Sequence, residues 1–202
     1  MSDLNAYGSV DHYKSWGSLR KQLQDLLCDS LKDKITYFYT NYHKRNNTGM
    51  YGRASVNFEK TELVSFSWDI FFDVQWKAES QTPITDKDRQ RCGGAWEAQK
   101  EIHERLMRED WMPGGELCHE DFIHAATLFL KTDVAAALNS ENYLLRMFAF
   151  LDRRVGKRTL IKIKDEAGAL PEWVKQFYRI RCEAEGLSNL VSKKFDIKGA
   201  KT

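Results

Sequence analysis

The sequence predicts an α+β fold, a three- or four-stranded antiparallel sheet with helices packed mainly on one face. Three observations lead there. Val64, Phe66, Trp68, Ile70, Phe72, Val74 and Trp76 alternate with Ser65, Ser67, Asp69, Phe71, Asp73, Gln75 and Lys77, the period of two of a strand with one covered face. Before and after this run, apolar residues recur at helical spacing instead. The resulting order, helix, strands, helices, strand, helix, segregates the two kinds of element as an antiparallel α+β domain does.

The elements follow in order. After a flexible start over residues 1–15, "SLRKQLQDLLCDSL" sets Leu19, Leu23, Leu26 and Ser30 on one stripe, widened by Leu27, with Ser18 as N-cap; a helix over about 18–31 is expected. The segment from Asp33 to Trp76 is rich in Tyr, Phe, Ile, Val and Thr and is punctuated at "NNTG" and "EKTE", which makes three strands. From Thr85 the period changes. "TDKD" is a helix-start signature, Ala95, Ala98, Ile102 and Leu106 repeat at helical spacing, Cys92-Gly93-Gly94 interrupts the helix in its first third, and "MPGGE" ends it. Short helices near 119–131 and 140–155 come next, then a strand at "TLIKI". A last helix opens at Pro171 and stops at Gly186, and residues 191–202 form a mobile tail. The whole is one domain over 16–190, a length that buries a substantial core.

Composition narrows the class. Hydrophobic residues at 42% and charged residues at 30% fit a soluble globular protein. No run approaches the roughly 20 apolar residues of a membrane span, so no membrane partner is expected. The N-terminus lacks a basic patch followed by an apolar core, so no secretory leader is expected and the cytoplasm is the default compartment. Cys28, Cys92, Cys118 and Cys182 are scattered without a C-x-x-C pair and read as thiols; the "NNT" at Asn46 carries no meaning without a secretory route. Net charge is only +2, but residues 1–151 hold 18 Lys/Arg against 22 Asp/Glu, and residues 152–202 hold 13 against 7. That asymmetry permits an anionic partner.

The densest charge is "FLDRRVGKRTLIKIK", with six Lys/Arg in the twelve residues from Arg153 to Lys164 and no acid among them. On a helix from Ser140, Leu144, Phe148, Leu151 and Val155 form one face, while Asn142, Arg146, Ala149 and Arg153 form an exposed stripe opposite it. Arg154, Lys157 and Arg158 lie just past its end. Guanidinium forks bind phosphate or carboxylate in two-point geometry, so Asn142, Arg146, Arg153, Arg154, Lys157 and Arg158 are the anion-binding candidates. The structural alternative is that these cations oppose the helix macrodipole, that Gly156 takes the left-handed position past the helix, and that Lys162 and Lys164 line the solvent face, or a protected edge, of the strand. A P-loop is excluded, because the earlier glycine is missing and a helix precedes Gly156-Lys157 where a strand belongs.

The other constellations are weaker. In "CHEDFIH", His119 and His124 are five apart, about 140° around a helix, where i and i+4 ligands need about 40°. With Cys118 they give no complete metal set, so no metal or other cofactor is called for, and helix-start chemistry with a partly buried histidine accounts for the segment. Asp69 and Asp73 would stand ~13 Å apart on one strand face, beyond the ~5–10 Å of paired glycosidase carboxylates. Asp69 with His43 or Tyr37 across the sheet would make a hydrolytic site. Tyr37, Tyr39, Tyr42, Tyr51 and Arg53 would stack single-stranded bases or pack the flanking helices. No serine sits in a nucleophile elbow, and Cys182 has no histidine partner in view. In the last helix Trp173, Phe177, Ile180 and Ala184, beside Val174, read as a packing face, with Arg179–Glu183 and Arg181–Glu185 as surface ion pairs.

Three segments, "WGSLRKQLQDLLCDSLKDKITYFYT", "SENYLLRMFAFLDRRVGKRTL" and "LPEWVKQFYRIRCEAEG", together resemble an uncharacterised family of small bacterial proteins over about Trp16 to Gly186. The resemblance implies a bacterial, cytosolic, single-domain protein, and it brings no activity, substrate or catalytic residue with it.

The functional expectation is therefore a non-enzymatic binding module whose basic surface near residues 146–158 engages nucleic acid or an acidic protein. The alternatives are a hydrolase using carboxylates and histidine from the exposed sheet face, and a protein-interaction subunit of a bacterial complex recognised through exposed aromatics.

Overall fold

The computed structural model describes residues 15–42, 51–69, 77–78 and 80–191. The N-terminal segment before Ser15, His43, the Asn46–Thr48 stretch, Asp73 and the tail beyond Val191 lie outside the described residues.

An antiparallel sheet of three strands, β1 Ile35–Tyr42, β2 Tyr51–Phe58 and β3 Thr61–Ser67, runs in the order β1-β2-β3. Tyr37 pairs with Val56 and Val56 with Val64, so Ile35, Tyr37, Ala54, Val56 and Phe66 share the buried face. β2 and β3 are joined by Glu59 and Lys60, both at positive φ (47° and 73°), the two-residue hairpin geometry that matches strand twist. A bulge falls between Val56 and Asn57, opposite Leu63. β3 is shorter than its alternating pattern predicts: the chain turns helical at Trp68 and Asp69, and Ile70 to Trp76 lie outside the described residues.

Helices supply the other layer. α1 spans Trp16–Leu26, and its cap is Ser15, whose carbonyl accepts from Ser18 and Leu19, three residues earlier than expected. It stops well before residue 31 because the backbone at Leu27 is extended, bridging antiparallel to Asp152 with Cys28 N–H on the Leu151 carbonyl at 3.0 Å. A tertiary strand-like contact outbids the leucine stripe, and a 3₁₀ turn at Asp29–Leu31 completes the segment.

α2 (Asp86–Cys92) opens with the expected box: Thr85 Oγ1 accepts from Asp88 N–H and Asp88 accepts from Thr85 N–H. Gly93 at φ 86° separates it from α3 (Ala95–Leu106), which continues through a π-helical turn, Met107–Trp111, to Gly115. α4 (His119–Phe129), α5 (Val134–Leu138) and α6 (Tyr143–Leu151) follow. α7 (Lys157–Lys162) and α8 (Lys164–Gly168) occupy the place of the expected strand, and α9 (Glu172–Ala184) closes the chain's core.

"TLIKI" is helical because Leu160, Ile163 and Ala167, spaced three and four apart, turn toward the core. Strand propensity of Thr and Ile is overridden by that packing. α9 ends in a Schellman arrangement, with Leu187 N–H on the Cys182 carbonyl at 2.7 Å, Gly186 N–H on the Glu183 carbonyl, and Gly186 at φ 74°.

The core sits between the sheet and α4, α6 and α9. Phe122 stacks on Phe66 at 5.7 Å and meets Phe148 at 5.5 Å, while Tyr37 reaches Phe148 at 5.9 Å. α6 is the central helix: Leu144, Leu145, Met147, Phe148, Ala149, Phe150 and Leu151 are all buried.

Candidate anion-binding surface

The burial of α6 overturns the exposed stripe expected along it. Ala149 is wholly buried, and Asn142 and Arg146 serve the helix itself, which leaves Arg153 exposed past its end. Asn142 is the N-cap, its Oδ1 accepting the Leu144 N–H at 2.9 Å. Arg146 folds back, donating Nε to the Ser140 carbonyl with its guanidinium over the Tyr143 ring at 5.9 Å.

Just beyond the helix, Asp152 is buried and accepts from the Arg154 backbone N–H at 2.7 Å, Nε at 3.0 Å and Nη2 at 2.7 Å. Arg154 also lies over the Phe129 ring at 5.8 Å, and its hydrogen bond with Asp152 raises its pKa further. On the other side of this turn, the buried Arg181 donates to the carbonyls of Leu151, Asp152 and Val155 at 3.3, 3.1 and 2.7 Å, and pairs with Glu185 at 3.2 Å. Lys157 reaches the same Glu185 at 3.7 Å. Helical spacing pairs Arg181 with Glu185, and that ion pair exists; the buried guanidinium is in addition a clamp for three backbone oxygens. Arg179 pairs with Glu172 rather than Glu183.

Four cations of the run remain. Arg153, Arg158, Lys162 and Lys164 are exposed and make no ion pair with a carboxylate among the described residues. Gly156 is not the left-handed residue ending a helix. At φ −82° and ψ 166° it is the N-cap of α7, which sets Arg158 and Lys162 four apart on one helical face. Of the six expected anion-binding residues, the fold therefore leaves Arg153 and Arg158 uncommitted and adds Lys162 and Lys164.

Beside α8 lies a cleft of about 540 Å³, lined by Lys164, Asp165, Gly168, Glu172, Lys175, Tyr178, Arg179, Leu190 and Val191. Sequence reasoning missed it. The available signal was Glu172, Lys175 and Arg179 at i, i+3 and i+7, one face of the last helix carrying an acid beside two cations. Lys164 belongs to both the cleft and the unpaired set. Tyr178 is buried and donates its hydroxyl to the Leu160 carbonyl at 2.8 Å, and burial pushes its pKa up, so it is wall rather than reactive group.

The chain belongs to the SF0329 protein family. The family model matches residues 15–182, a span that takes in the whole basic run and every cleft residue except Leu190 and Val191. No curated protein and no solved structure matches the chain.

In this SF0329 family member the remaining candidates fall as follows. Among the described residues no group of three or more His, Cys, Asp and Glu is placed to hold a metal ion. Asp121 accepts the Cys118 N–H at 2.9 Å, a capping box at the start of α4. His124 is the partly buried histidine of this segment, and His119 is fully buried, its ring closed against Gly52, where any Cβ would stand 2.3 Å from it. Tyr37, offered as a partner for Asp69, is sealed in the core, where burial pushes its phenol far above its usual pKa, while Asp69 is exposed beyond the end of β3. Tyr39 packs on Trp16 and His119, and Arg53 is paired at the surface with Glu62, so these three members of the base-stacking set already have partners within the protein. All four cysteines are free. No helix among the described residues is long and apolar enough to cross a membrane.

Proposed function

We propose that this protein is a non-enzymatic binding module that engages an anionic partner, a nucleic acid or an acidic protein, through Arg153, Arg158, Lys162 and Lys164. One observation carries the reading: within a single short stretch, four exposed cations make no close ion pair among the described residues, while Arg154, Lys157 and Arg181 around them do. Arg158 and Lys162 on one face of α7 repel each other by about 0.2–0.5 kcal/mol, a local cost that a bound anion reverses. A partner here breaks no internal ion pair, and its counterions are released on binding. Free thiols suit a reducing compartment, in keeping with the bacterial cytoplasm that the sequence resemblance implies.

The experiment is a salt series of binding to polyglutamate and to single- and double-stranded DNA and RNA, with wild type beside Arg153→Ala/Arg158→Ala/Lys162→Ala. At least one polyanion is expected to bind at low salt, with affinity falling steeply as salt rises. In the variant the slope of log K against log salt flattens by roughly 0.7–0.9 for each phosphate that is no longer neutralised. Absence of binding to every polyanion at low salt would overturn the reading.

A further inference from the structure

The cleft holds an arrangement that the unpaired cations alone do not explain. Glu172 lies 3.5 Å from Lys175 Nζ and in contact with Arg179 Nη1. The two cations are drawn into the wall, with side chains 23% and 22% exposed, whereas the carboxylate that neutralises them is 68% exposed. Their present counterion is thus the most solvated member of the group, and an incoming carboxylate that reaches the same two donors exchanges with it at little desolvation cost. Lys164 stands on the same wall without an ion pair among the described residues, Gly168 leaves open space where a side chain would stand, and Leu190 and Val191 present apolar surface. One helical turn before Lys164, Ile161 is 50% exposed between Lys157, Arg158 and Lys162.

We propose that this cleft is the docking site for an acidic peptide segment of a partner protein. A carboxylate of the peptide takes over Lys175 and Arg179 from Glu172, and an aliphatic side chain rests on Leu190 and Val191. The inference rests on the anionic-partner reading and narrows it to one class.

The lining favours a peptide over a nucleic acid on two grounds. It carries two carboxylates, Asp165 and Glu172, beside its three cations, a mixed field that opposes a chain charged at every phosphate but suits one whose acids alternate with apolar residues. Its one aromatic residue, Tyr178, is buried with its hydroxyl committed, so no base finds a stacking face. An aliphatic anchor surrounded by charge complementarity is instead the composition of a protein-binding patch.

Fluorescence anisotropy on the full chain tests this with two labelled probes of equal length and charge, alternating glutamate–leucine and glutamate–serine, and with oligothymidylate as competitor. The leucine peptide is expected to bind more than ~5-fold tighter than the serine peptide, a difference of about 1 kcal/mol. Glu172→Gln, which frees Lys175 and Arg179, tightens binding of the leucine peptide several-fold, and Lys164→Glu, at an exposed position, weakens it. Equal affinity for the two peptides, no response to Glu172→Gln, or full displacement by oligothymidylate at equal concentration would overturn the proposal. If the two peptides bind equally and Arg158→Ala/Lys162→Ala weakens both, the basic surface stands and the cleft falls. If no anionic probe binds, both fall together.

Discussion

On the two sides of Gly156 the basic run meets contrasting fates, with Arg153 before it and Lys157 after it as the exceptions. On one side, Arg154 is clamped to Asp152, and Arg181 reaches in from α9 to hold the carbonyls of the same turn. On the other, Arg158, Lys162 and Lys164 project from two short helices and have no ion-pair partner among the described residues. The sequence puts two cations of the run before Gly156 and four after it. What separates them is where the chain goes next: after α6 it passes through the interior beside Leu27, where backbone oxygens lose water and need donors, and after Gly156 it runs over the surface. The guanidinium groups of Arg154 and Arg181 are consumed by the first situation, and that of Arg158 is spared by the second. A cluster of cations therefore marks a candidate surface only after the interior has taken its share.

Arg181 breaks that comparison most severely. Arg181→Met keeps the length and apolar stem of the side chain but leaves the Val155 carbonyl without its guanidinium donor, and leaves the Leu151 and Asp152 carbonyls only the backbone N–H groups of Cys28 and Val155. Removing three charge-assisted hydrogen bonds and orphaning the Val155 oxygen predicts a destabilisation of about 3 kcal/mol. Urea unfolding checks this: the midpoint falls with m unchanged. A destabilisation below ~1 kcal/mol would show that the turn is held by Asp152 and the strand-like bridge to Leu27 rather than by the guanidinium.

Legibility in the sequence follows the same division between local and long-range causes. The strand cluster, the Thr85 capping box, the break at Gly93, the stop at Gly186 and the buried faces of α3 and α9 all depend on neighbours within a turn or on one covered face, and pattern reading finds them. α6 defeats the amphipathic template, since Leu145, Met147, Ala149 and Phe150 put apolar residues all round it, as a helix at the centre requires. "TLIKI" follows β propensity on its face, yet Leu160, Ile163 and Ala167 carry the helical spacing that packing selects. The end of α1 at Leu26 and the burial of Arg181 depend on partners more than a hundred and about thirty residues away, respectively, and no local pattern encodes them. The candidate surface is legible as a stretch; which of its cations stay available is not.

His119 sharpens the contrast from within the interior. Arg181 finds acceptors there, whereas both ring nitrogens of His119 are buried without a hydrogen-bond partner among the described residues, against Gly52 and the Tyr39 ring. Burial lowers its pKa, and only the carboxylates of Glu120 and Asp121 on its own helix pull the other way. The unfolded chain therefore takes up a proton near pH 6.5 while the folded protein does not, so unfolding free energy falls as pH drops below about 6.5, by up to ~1.4 kcal/mol per unit, until the lowered folded pKa is passed. His119→Leu removes this component and leaves no unpaired nitrogen. Denaturation across pH 5–8 is expected to show the variant gaining on wild type as pH falls. A pH-independent difference between the two would mean that the imidazole takes its proton in place.

The smallest expected effect on stability is also the most discriminating. Arg158→Ala removes an exposed side chain with no ion pair among the described residues and shifts stability by no more than ~0.5 kcal/mol. Arg154→Ala, four residues earlier, leaves the buried Asp152 carboxylate with a backbone donor alone, and is expected to cost about 1 kcal/mol or more. Their order reverses for polyanion binding. There Arg158→Ala flattens the salt dependence by about the amount one neutralised phosphate contributes, and Arg154→Ala leaves it nearly unchanged because Asp152 already neutralises that guanidinium. Equal effects of the two substitutions on binding would mean that the Arg154–Asp152 pair opens to receive the partner, and that the division at Gly156 describes the free protein but not the complex.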